Sequence, residues 1–205
     1  MNLLRILLLF LVITTSLRAA PPRFYFAGQV GNFNADAGSS TQFGPYVDQT
    51  IKSGTKTFVD FSVGADFCDW FSLEAGYLDC ASFSSQVFVL RPGIETAVAE
   101  FVRNTYDLRA YRLTPVFNLS PTDRLSLRFL GGLTHSVGKM VRQGGGMLRV
   151  DIDNDSYHAG VGFAYHLTSQ ATIEARFVHY DFGKLAHFGT RITADTYSIG
   201  LSWHF

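Results

Sequence analysis

Past residue 20 the apolar residues recur at every second position rather than at the 3.6-residue spacing of a helix. The alternating segments are separated by polar stretches of two different lengths, which predicts antiparallel β-strands joined alternately by short turns and long loops. In the first segment, Phe24 to Phe33, the residues Phe24, Phe26 and Val30 share one face with Gly28 among them. A polar stretch from Asn34 to Gly54 follows. The second segment sets Val59, Phe61, Val63, Ala65 and Phe67 against Asp60, Ser62, Gly64 and Asp66. A tight turn at Asp69 and Trp70 leads into the third, where Phe71, Leu73, Ala75 and Tyr77 oppose Ser72, Glu74 and Gly76.

The same alternation continues to the end of the chain. A connection from Cys80 to Asn104 precedes a fourth strand with Tyr111, Leu113, Phe117 and Leu119 on one face, and Pro115 predicts a bulge within it. The turn Asn118 to Arg124 leads to a fifth strand carrying Leu125, Leu127, Phe129 and Leu133. The Gly- and Asp-rich connection Gly138 to Asp155 precedes a sixth, Tyr157 to Leu167, and Thr168 to Gln170 turns the chain into a seventh with Ile173, Ala175 and Phe177. After a loop from Asp181 to Ala194, the eighth strand alternates Tyr197, Ile199, Leu201, Trp203 and Phe205. The pattern predicts an all-β, eight-stranded antiparallel up-and-down barrel occupying residues 21–205 as one domain.

Alternation alone fits either a membrane barrel, apolar outside, or a secreted ligand carrier, apolar inside. Glycine separates them. Gly64, Gly76, Gly132, Gly160, Gly162 and Gly200 all lie on the polar face. A water-exposed strand gains nothing from losing those side chains, whereas the crowded lumen of an eight-stranded barrel does. The polar face is therefore expected inside and the apolar face against lipid. Phe67, Phe71, Tyr77, Phe117, Tyr157, Tyr165, Tyr197 and Trp203 then fall near strand ends, as interfacial girdles require.

Composition agrees with that placement. Seventeen basic residues balance 17 acidic ones, so no nucleic-acid partner is expected, and charged residues reach only 17% of the chain where soluble domains carry roughly 25%. No apolar run is long enough for a membrane helix. Met1 to Ala20 reads as a secretory signal: Arg5 lies near the start, Ile6 to Ile13 is apolar, and Ser16 to Ala20 is rich in small residues. With Arg5 and Arg18 removed, 15 basic residues face 17 acidic ones, a net charge of −2.

The segments VGADFCDWFSLEAGYLD, VGFAYHLTSQATIEARFVHYDFG and the ending YSIGLSWHF resemble the OmpA-like outer-membrane β-barrel domains of Gram-negative bacteria over nearly the whole chain past residue 20. The resemblance implies location in the cell outer membrane, contact with outer-membrane lipid and lipopolysaccharide, and delivery by periplasmic chaperones to the barrel-assembly machinery. The terminal signal for that machinery would be Tyr197, Ile199, Leu201, Trp203 and Phe205. No peptidoglycan-binding segment follows the barrel pattern, so no cell-wall tether is expected.

The polar face carries Asp60, Asp66, Glu74, Arg112, Arg128, Glu174 and Arg176, a mixed-sign set expected to form one network that fills the lumen, because isolated charges there would be costly. A narrow selective pore is the competing reading.

Enzymatic signals are thin. A lipid A deacylase needs a serine activated by an oriented histidine. His135 and Ser136 point to opposite faces of a strand, and in the run containing His179 and Asp181 the aspartate stands where the nucleophile belongs. Asp151, Asp153 and Asp155 begin like a calcium loop, but Ser156 and Gly162 occupy the glycine and glutamate positions. Gly144 to Gly146 lack the lysine of a phosphate loop, and His158, His166 and His204 lack metal-ligand spacing. No cofactor or metal is expected. Cys68 and Cys80 are placed too far apart along one hairpin to bridge.

The expectation is a monomeric outer-membrane barrel with a structural or adhesin-like role carried by long outward loops, with Phe43, Tyr46, Phe88 and Arg91 as candidate contacts.

Overall fold

The computed structural model describes residues 21–38, 49–51, 55–92, 97–143, 148–184 and 191–205. The segment read as a signal, and with it Phe43 and Tyr46, lies outside them. The strands are β1 (Arg23–Gly38), β2 (Gln49–Ile51), β3 (Lys56–Cys68), β4 (Phe71–Pro92), β5 (Ala97–Leu119), β6 (Leu125–Gln143), β7 (Leu148–His166), β8 (Ala171–Lys184) and β9 (Arg191–His204). Every pairing is antiparallel, and β1 pairs with both β3 and β9 while β4 pairs with β5. The sheet thereby closes into an eight-stranded barrel, with β2 added along β4 at Gln86 to Phe88. Closure leaves no sheet edge within the barrel wall, as a lipid-facing sheet requires.

The apolar face points outward. Phe61, Val63, Phe129, Leu133, Phe163, Ile199 and Leu201 are exposed, whereas Glu74, Arg112, Arg128, Glu174 and Arg176 are buried inside. The glycines report the same sense. A Cβ on inward Gly132 would stand 2.0 Å from the Leu113 carbonyl oxygen, and on inward Gly64 it would meet the Tyr25 ring at 2.3 Å. On outward Gly28 or Gly131 it would touch nothing closer than 3.7 Å. The lumen is too narrow for those side chains, so glycine sits there for space.

Three of the predicted loops are strands. The described residues of the connection expected from Cys80 to Asn104 lie in the outer half of the β4–β5 hairpin, so Phe88 and Arg91 belong to β4. The described residues of the Gly138–Asp155 and Asp181–Ala194 connections likewise lie in the strands of the β6–β7 and β8–β9 hairpins. Their alternation persists with its phase reversed. Along β7 the outward side chains run Asp151, Asp153, Asp155 and then Tyr157, Val161, Phe163, while the inward ones run from Ile152 to His158 and Ala164. Where the wall meets lipid the apolar face is outside; where it meets water the apolar face turns inside. A search for one continuous apolar face therefore loses the strand at the crossing point.

That crossing bounds the lipid-facing band. On β5 the outward apolar residues extend from Tyr111 to Leu119, on the order of 27 Å of strand and roughly 20 Å of height once tilted, close to the ~25 Å band of such barrels. Pro115 causes no bulge. The β5–β6 register is the same on either side of it, because its missing donor falls where the ladder skips Gly131 and Gly132.

Candidate functional site in the barrel lumen

The interior is layered from the short-turn end outward. At that end lies an open cavity of about 810 Å³ lined by Asp66, Asn118, Ser126, His166 and His204, with Arg128 among its lining residues. Ser72 Oγ donates to Asp66 Oδ1 at 2.7 Å, and His204 Nε2 lies 3.3 Å from Asp66 Oδ2.

Above the cavity, inward positions of β3, β4, β5, β6 and β8 bring three guanidinium groups onto three carboxylates. Arg112 Nη2 donates to both oxygens of Asp60 at 3.1 and 2.9 Å, and its Nη1 reaches Glu74 Oε2 at 3.1 Å. Arg176 spans Glu74 in bidentate fashion, Nη1 to Oε2 at 2.8 Å and Nη2 to Oε1 at 2.7 Å, while its Nε donates to Glu174 Oε2 at 2.8 Å. Arg128 pairs with Glu174 through Nη1 and stands 3.9 Å from Glu74 Oε1. The cluster is charge-balanced and every member is buried. Balance and multiple hydrogen bonds are what such burial demands, because an unpaired charge there would cost several kcal/mol or more.

Six of the seven predicted lumen residues meet here: Asp60, Glu74, Arg112, Arg128, Glu174 and Arg176. Asp66 does not. It sits beside the β3–β4 turn and joins Ser72 and His204 instead, because register places it level with Ser72 rather than with Glu74. Uncharged members escaped the charge pattern. The Tyr25 hydroxyl donates to Glu74 Oε1 at 2.9 Å, Ser202 Oγ donates to Glu174 Oε1 at 3.1 Å, and Arg112 Nη1 donates to Thr114 Oγ1 at 3.0 Å. His158 bridges Thr114 and Thr134, with Nε2 at 2.9 Å from one hydroxyl and Nδ1 at 2.8 Å from the other. Their inward position on alternating strands was the available signal.

A third layer closes the lumen above the charges. Phe33, Phe58, Leu78, Phe83, Tyr106, Leu108, Met140, Ile152, Tyr180 and Phe182 pack as one buried apolar cluster, with Phe83 stacked on Tyr106 at 4.8 Å between centroids. Cys80 is buried in the same cluster, and both it and Cys68 are free thiols. Asp181 lies beyond the lipid-facing part of β8. The Arg191 guanidinium, hydrogen-bonded to it, holds its carboxyl below the usual carboxylate range despite partial burial, and the backbone N–H of Gly183 (φ +82°) adds a 3.0 Å bond.

The predicted terminal residues Tyr197, Ile199, Leu201, Trp203 and Phe205 all face outward on β9 or just beyond it, and Phe205 N bonds Phe24 O at 3.0 Å. Asp151, Asp153 and Asp155 form an outward row on β7, not a loop. No group of three metal-ligating side chains gathers among the described residues.

A closed barrel with an apolar outer band and a charged, filled lumen defines a transmembrane barrel of the outer-membrane type. The chain belongs to the outer membrane protein beta-barrel domain family, whose model matches residues 5–205. No curated protein matches it in sequence. Among solved structures it is similar to neisserial surface protein A at 14% identity and TM-score 0.58, covering 89% of this chain and 97% of that one. It is also similar to Ail, the attachment invasion locus protein of Yersinia pestis, solved with the heparin analogue sucrose octasulfate (13% identity, 89% and 99% covered, TM-score 0.51). The outer membrane protease OmpT of Escherichia coli gives 10% identity, 92% and 99% covered and a TM-score of 0.50. These identities speak for a shared fold.

Proposed function

We propose that the protein is a non-enzymatic, non-conducting barrel of the cell outer membrane that serves a structural and surface-interaction role through its outward hairpins. The observation that carries this reading is the doubly closed lumen, a balanced charge network beneath a packed aromatic core. A pore would require both layers to open, and eight-stranded barrels have room for side chains rather than for a water column. The outer hairpins continue the antiparallel ladder above the lipid band, which holds their outward side chains on a paired sheet suited to presenting a surface. The likeness to a surface protein and to an attachment protein agrees with that role.

In this reading residues 1–20 direct export, and Tyr197 to Phe205 present the alternating aromatic ending to the assembly machinery. The partners are outer-membrane lipid and lipopolysaccharide, and the working unit is a monomer. Planar-bilayer recording of the refolded protein tests the central point. No stepwise conductance is expected, and a steady open level that persists across preparations would overturn it.

A further inference from the structure

Above the lipid band β4, β5, β6 and β7 continue as one sheet beyond the strands on either side of them. β3 leaves β4 at Val59 opposite Asp79, while β4 and β5 stay paired as far as Pro92 and Ala97. On the other flank β8 follows β7 only as far as Asp181 opposite Tyr157, while β6 and β7 stay paired to Arg142 and Leu148. Past Asp181 the register of β8 against β9 shifts, and a Cβ on Gly183 would meet the Asn154 side chain at 3.4 Å. The end of β8 thus lies beside Asn154, and from Asp153 to Leu148 no described strand pairs with β7 on that side. Alternate N–H and C=O groups of this stretch point away from β6 without a ladder partner. The two edges of the outer sheet therefore differ: β2 is added to β4 at Gln86 to Phe88, whereas among the described residues nothing is added to β7.

We propose that this stretch of β7 takes an added strand from a partner chain, an extended segment that alternates basic and apolar residues. The inference rests on the surface role proposed above and gives that role an edge. A strand in this place inherits the two faces of β7. Its inward side chains follow Val150, packed on the outer apolar cluster, and buried Ile152, and so cover the rim of that cluster. Its outward side chains fall beside Arg149, Asp151, Asp153 and Asp155, one arginine against three aspartates, a formal charge of −2. The basic side chains of β6 meet these carboxylates from the opposite side. His135 Nδ1 lies 2.9 Å from Asp155 Oδ1 and its Nε2 4.0 Å from Asp153 Oδ1, while Lys139 faces Asp151 without an ion pair among the described residues. The Asp153 and Asp155 side chains stay 80% and 92% exposed. An added strand lies one strand spacing from the aspartates but two, roughly 10 Å, from Lys139, so directly opposed pairs favour basic side chains on it. Charges on a sheet edge ordinarily prevent the pairing of like edges. The carboxylates here act in that way against a second copy and select a strand of the opposite sign.

The probe is a short fluorescent peptide of alternating lysine and valine, titrated against the full chain refolded in zwitterionic micelles, with empty micelles as the baseline. Saturable binding is expected, together with slowed amide exchange over Leu148 to Asp153 of the bound protein. Asp151→Asn/Asp153→Asn should weaken binding about fivefold, the order that two opposed charge pairs supply, and N-methylation of alternate peptide amides along one edge should abolish it. Equal binding of a glutamate–valine peptide, or an unchanged affinity in the double variant, overturns the charge match. Binding that survives N-methylation, protection confined to other strands, or no binding above the micelle baseline overturns the edge. Protection of these amides that grows with protein concentration in the absence of peptide gives the edge to a second copy and equally overturns the proposal. Heat-shifted mobility of the variant in SDS verifies the barrel separately. Conductance reads the lumen and exchange reads the outer edge, so a closed barrel that takes no peptide loses this inference alone, and a conducting barrel that protects these amides loses the earlier reading alone.

Discussion

Glu74 accepts four hydrogen bonds, one from Tyr25, one from Arg112 and two from Arg176, and is fully buried. Replacing it by Gln keeps the shape and removes the charge that holds these guanidinium groups together. Breaking a buried pair from one side costs about 3–5 kcal/mol, so Glu74→Gln should lower the urea midpoint of the micelle-refolded protein correspondingly. Unchanged stability would sink the network as a structural element. The charged members of this cluster were legible because they fell on the polar face of alternating strands. Tyr25 was not, because a tyrosine among Phe24 and Phe26 carries no mark of a carboxylate partner 49 positions away.

At the scale of the strand, phase reversal makes a sharper claim. Ile152 is buried between outward Asp151 and Asp153, although all three lie in a stretch that reads as an acidic loop. If the outer half is a water-exposed barrel with its own apolar core, Ile152→Ala should cost about 2–5 kcal/mol, while Asp151→Ala stays within about 0.5 kcal/mol. Equal, small effects in chemical denaturation would return the segment to a loop. The turns at the opposite end were legible throughout, since Asp69–Trp70 and Thr168–Gln170 lie between strands whose apolar phase does not change. The outer hairpins were not, because the solvent around the wall changes partway along each strand and the pattern inverts with it.

For the whole molecule, closure predicts resistance to unfolding in detergent. Every wall strand is hydrogen-bonded on both sides, so unfolding must break the barrel cooperatively. The protein should migrate in SDS as a compact species until heated and as a slower one afterwards; a single mobility with and without boiling would contradict a closed barrel. The alternation of period two, the glycines on the polar face and the aromatic ending were enough to determine strand number, antiparallel order and the outward sense of the apolar face. They suffice because lipid imposes one repeating rule on every strand that crosses it. Only the tertiary structure decided which inward charges share a layer, that Asp66 stands apart from them, and how far the wall continues beyond the lipid. Those outcomes depend on the register between strands and on which solvent lies outside each level, and neither is written in the alternation along any single strand.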